Sequence, residues 1–165
     1  MIIFVKLLLA HLIGDFLLQP TSWVEDKEKN KQKSLYLYLH IFLHGAIAWI
    51  LVGEKAFFGF AVLLAFLHGG IDFLKLYFQT KKTKRTWFSV DQILHLIVIL
   101  LVTLVYTDTK IEFESFSSQF WIVLTGIVLL TKPTSIIIKN IISIWTPENK
   151  TKDNSLQNAG NYIGI

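Results

Sequence analysis

The sequence predicts an all-α, multi-pass transmembrane bundle of about five spans, with a short interfacial helix near its C-terminus. Three observations predict it. Hydrophobic residues make up 53% of the 165-residue chain and charged residues only 17%. The charges fall in blocks, and between the blocks lie apolar runs close to the roughly twenty residues that a bilayer core requires. One transmembrane domain, residues 1–146, takes in all the runs, and a polar tail follows at 147–165. The chain has no cysteine, which removes disulfides and thiolate metal sites and leaves His, Asp, Glu and Gln as ligands. The net charge of +4 does not mark a nucleic-acid binder, because Lys and Arg sit between the apolar runs, where they orient helices against anionic lipid.

The first span is expected at 2–19. It lacks the basic start and small-residue cleavage site of a signal peptide and carries His11 and Asp15 mid-run, so it reads as retained. Pro20, Thr21 and Ser22 close it, and Lys6 is placed to snorkel from one end. A charged loop follows at 23–33, then span two at 34–52, a short link at 53–55, and span three at 56–79. The loop at 80–86 is purely basic. Span four, 88–106, opens with Ser89 and Asp91 as caps of its first turn. An acidic link with Asp108, Glu112 and Glu114 leads to span five at 118–130. Pro133 suits the first turn of a part-amphipathic helix at 133–145, expected to lie along the interface. Lys and Arg number four, one, four and one in successive links. By the positive-inside rule the N-terminus is outside and the tail cytoplasmic.

All five histidines sit in pairs of polar residues four apart: His11 with Asp15, His40 with His44, His68 with Asp72, and Asp91 with His95. A four-residue step turns a helix by about 40°, so both members leave one face. With the orientation above, the four pairs fall in one slab of the cytoplasmic half, within about a dozen ångström in depth at ~1.5 Å per residue. Gly14, Gly45, Gly69 and Gly70 lie beside them, as close helix approach would need.

One account of such groups is polar glue between helices. The sharper account is a bound divalent metal, zinc foremost, with iron and manganese also compatible. His40, His44, His68 and Asp72 are then the leading ligands, with His11 and His95 completing the set and Asp15 or Asp91 taking the proton of a metal-bound water. That chemistry describes a metal-dependent hydrolase of a lipid-like or small membrane substrate. Lys75 and the 81–85 basic cluster could attract an anionic lipid headgroup. A metal-ion or proton transporter is the alternative, and it requires exposure of the site to both sides.

The run His11-Leu-Ile-Gly-Asp15-Phe-Leu-Leu-Gln19-Pro20, the His-Gly-Gly-Ile-Asp from His68 to Asp72, and Asp91-Gln-Ile-Leu-His95 resemble the bacterial membrane-protein family called domain of unknown function 3307. The resemblance implies the fold, the site and a bacterial inner membrane, not a reaction. Members of that family commonly continue past a segment similar to Asn158-Ala-Gly-Asn-Tyr-Ile-Gly164 into further apolar helices, so a shortened copy or a fragment is expected. The site is also similar in kind, though not in chain order or helix count, to membrane hydrolases of the ceramidase and adiponectin-receptor type.

Overall fold

The computed structural model describes residues 2–107 and 117–142. They form α1 (Ile2–Leu12), α2 (Thr21–Asn30), α3 (Leu35–Val52), α4 (Phe58–Phe78), α5 (Lys84–Thr107), α6 (Ser118–Leu129) and α7 (Lys132–Ile142). A π-helical turn, Ile13–Leu17, extends α1, and short 3-10 turns precede α3 and α4. Leu35–Val52, Lys55–Phe78 and Lys84–Thr107 are each long and apolar enough to cross a membrane. The first two helices, bent by 83°, and the last two, bent by 46°, bring the number of possible spans up to five. The twelve residues of α6 cover only about 18 Å, short of a ~30 Å hydrocarbon core, so α6 needs α7 to complete a span.

Helix α1 is the centre of the bundle, packed against α3, α5 and α6. Its Ile2, Ile3, Leu7, Leu9, Ala10 and Leu12 are all buried, as expected of a helix apolar all round. The outer helices turn large apolar side chains outward, with Phe42 at 69%, Phe66 at 74% and Leu101 at 55% exposure, and keep every histidine inside. Water would not tolerate so extensive an apolar surface, whereas lipid would. Gly53 ends α3 at φ +77°, the left-handed conformation that suits glycine at a helix C-terminus.

Three expectations change. The segment 23–33 is mostly helical and not a loop. Pro20 stands as the N-cap of α2, and Asn30 donates to Asp26 at 2.7 Å within it. Helix α5 begins at Lys84, with Trp87 N–H on the Thr83 carbonyl at 2.9 Å, so Asp91 stands about two turns inside and caps nothing. Lys6 does not snorkel: it is buried, donates to Val52 O at 3.1 Å and lies 4.9 Å from the centre of the Trp121 ring. The carbonyls at the end of α3 lack helical partners, and Lys6 supplies one with a charged donor. Lys6→Met should therefore cost about 2 kcal/mol in SDS unfolding from mild detergent. An unchanged midpoint would mean that the ammonium contributes nothing there. The acidic link at 108–116, residues 143–145 of the expected interfacial helix and the tail at 147–165 lie outside the described residues.

Candidate metal centre

The π-helical turn decides how Asp15 is presented. Leu18 N–H bonds to Ile13 O at 2.9 Å, five residues back, and the widened turn carries Asp15 into the bundle axis, a placement such turns often serve. Asp15 Oδ1 lies 2.9 Å from His44 Nε2, 3.2 Å from His40 Nε2 and 3.7 Å from His68 Nε2. Its Oδ2 lies 3.8 Å from His11 Nδ1. Close approach depends on glycine at three positions. A Cβ at Gly14 would overlap the His44 ring, one at Gly69 would stand 2.5 Å from Ile41 Cδ1, and one at Gly45 would stand 3.0 Å from Ala65 Cβ. Gly70 differs, because a Cβ there would meet nothing within 4 Å.

The three carboxylates are not equivalent. Asp72 is held by Lys27 of α2 at 2.9 Å, and its Oδ2 is 3.6 Å from His40 Nε2. Asp91 is held by Lys75 at 2.8 Å, so this lysine, expected to face a lipid headgroup, is already engaged. No lysine or arginine pairs with Asp15 among the described residues; its neighbours are imidazoles. Gln92 ties the corner together. Its amide nitrogen donates to Asp91 Oδ2 at 3.1 Å and Asp15 Oδ2 at 3.4 Å, and its carbonyl faces His11 Nε2 at 3.3 Å. Gln19 Nε2 lies 2.9 Å from His40 Nε2. Neither Lys27 nor Gln92 was singled out from the sequence. Gln92 had a signal, standing between Asp91 and His95 on the same helix, whereas Lys27 had none.

All eight expected residues meet in one cluster, and they divide into overlapping sets. The ligand atoms of His11, Asp15, His44 and His68 all lie within 4.8 Å of one another, as do those of His40, His68 and Asp72, and of Asp15, Asp91 and His95. Ligands about 2.1 Å from a tetrahedral zinc stand roughly 3.3 Å apart, so a small contraction of the first set would enclose an ion. His95 Nδ1 lies 2.8 Å from the Asp91 carbonyl. Donation there fixes the tautomer and frees the Nε2 lone pair. His95 Nε2, His11 Nδ1 and Asp91 Oδ1 are buried without a hydrogen-bond partner, an arrangement that buried polar atoms rarely keep unless a ligand satisfies them.

Three cavities border the cluster, one of them, about 40 Å³, between Asp15, Lys27 and Asp72. Another of about 10 Å³, the size of a single water, lies among His11, His44, His68 and His95 under Leu7 and Ile99. The largest of the three, about 250 Å³, runs from Asp15 and Gln92 past Lys75 and Gln79 to Lys84 and Ile136. Toward the Val52 end of α3 the bundle is instead filled by Ala48, Phe57, Ala61, Val102 and Tyr106.

The family model described as "Protein of unknown function (DUF3307)" matches residues 3–124, from α1 into α6, and the chain belongs to that family. No curated protein and no solved structure matches the chain.

Proposed function

We propose that this member of the DUF3307 family is an intramembrane, metal-dependent hydrolase of a lipid-like or small membrane substrate, holding one divalent ion, zinc foremost, on His11, His44, His68 and Asp15. One observation carries the reading. Imidazole nitrogens from α1, α3 and α4 converge on Asp15, a largely enclosed carboxylate that pairs with no lysine among the described residues. A carboxylate drawn out of water without a fixed counter-charge costs several kcal/mol, and a dication beside neutral imidazoles removes that cost. Asp72 and Asp91 already have lysines, so a single ion satisfies the site. His40, whose Nε2 lies 3.2 Å from Asp15 and 3.6 Å from Asp72, then stands beside the ion, and His95 flanks it.

Such an ion supplies a water of lowered pKa. Asp91 is placed to take the water's proton, with Oδ2 fixed by Lys75 and Oδ1 unengaged. The large cavity gives a substrate access from the α2 side, and the apolar packing at the other end favours this reading over transport, which needs a path to both sides. Polar glue would leave the nitrogens and carboxylate oxygens paired. The lysine-rich segments at 23–33 and 80–86 support an orientation with the α2 side in the cytoplasm and the N-terminus outside, and membership of the family supports a bacterial inner membrane.

The test is metal analysis of protein purified in mild detergent without chelator or polyhistidine tag, beside Asp15→Asn and His44→Ala variants. Close to one zinc per chain, lost in variants that remain folded by circular dichroism, is expected. Metal-free wild type after supplementation with zinc, iron and manganese would overturn the reading.

A further inference from the structure

The walls of the large cavity define the chemistry of what enters it. Two cations line it, and each already faces a carboxylate: Lys75 meets Asp91 at 2.8 Å and, at the exposed surface, Lys84 meets Glu28 at 2.6 Å. An anionic headgroup would find no uncommitted lysine or arginine in the wall, and it would meet Glu28 near the mouth. No side chain of the wall would compensate the removal of its charge from water.

What the wall does offer is neutral hydrogen bonding. Gln19, Gln79 and Gln92 all line it. Gln79 gives its amide nitrogen to Glu28 at 3.1 Å, and its buried Oε1 has no hydrogen-bond partner. That oxygen is an acceptor awaiting an O–H or N–H donor. Between these amides stand Phe16, Val24, Phe88 and Ile136. Ile136 is 40% exposed and belongs to α7, so the apolar side of the cavity continues to the outer surface of the bundle.

We propose that the cavity binds an amphiphile with an uncharged head that donates hydrogen bonds, its polar end toward Asp15 and Gln92 and its chain leaving past Phe88 and Ile136. This deepens the hydrolase reading by naming its substrate class, and only the orientation of the head rests on that reading. A pocket with a few convergent polar groups and otherwise apolar walls is the usual form of such sites.

The test is equilibrium binding by native mass spectrometry of the full chain in mild detergent. The probes are a 1-monoacylglycerol, whose head is neutral and carries two hydroxyls, and the lysophosphatidic acid of the same chain length. The monoacylglycerol should bind at least tenfold more tightly. Gln79→Leu should abolish that preference, and Ile136→Trp, at the mouth, should weaken both probes about tenfold, each with metal content unchanged. Equal or tighter binding of the lysophosphatidic acid, or an undiminished preference in Gln79→Leu, would overturn the proposal. Because binding is read apart from metal content, a metal-free chain that still prefers the neutral probe would overturn the hydrolase reading and keep this one.

Discussion

Replacing Lys27 with methionine is expected to destabilise the protein by about 3–5 kcal/mol, the usual cost of removing one partner from a buried ion pair. Lys27 belongs to α2, the most polar of the described helices, yet it is only 5% exposed and its ammonium lies 2.9 Å from Asp72 Oδ2. Methionine keeps the stem's packing and removes the charge, which leaves Asp72 ionised among His40 and His68. The double variant Lys27→Met/Asp72→Asn should recover most of the loss, since no unpaired charge remains. SDS unfolding of the three proteins in one detergent gives the comparison. A single variant as stable as wild type would show that water reaches Asp72, and that α2 does not seal the cluster.

That ion pair also marks where the sequence stopped being informative. The spacing of four between polar residues in four apolar runs is a local property of helices. Together with the lysine distribution it placed eight side chains at one depth, and the structure brings all eight together. The pairing of Lys27 with Asp72 spans 45 residues and depends on the 83° bend after α1, which no local periodicity encodes. A helix whose one buried side chain is a lysine looks like a loop by hydropathy. Asp15 shows the same limit. As part of an ordinary helix it is one of several equivalent carboxylates, and the π-helical turn makes it the hub. Which carboxylate lacks a lysine could not be read from composition, because it depends on the paths of α2 and α4.

Gly14→Ala should weaken zinc binding by about 10–100-fold, the range seen when groups that orient ligands are disturbed, while Gly70→Ala should leave it unchanged. Both glycines adjoin members of the polar pairs, and the sequence gives no reason to separate them. The structure does. A methyl at Gly14 falls on the His44 ring, which must swing away, whereas one at Gly70 meets nothing within 4 Å. His44 Nε2 lies 2.9 Å from Asp15 Oδ1, so displacing the ring takes a donor from the centre without altering any ligand's chemistry. In helix interiors alanine is otherwise the better residue by roughly 1 kcal/mol. Gly70→Ala should accordingly be at least as stable as wild type, and a loss of metal in Gly14→Ala cannot be put down to helix propensity. Competition titration with a zinc chelator measures both. Equal affinity in the two variants would mean that the ion sits away from His44, moving the centre toward His40, His68 and Asp72 and reopening the question of which carboxylate holds it.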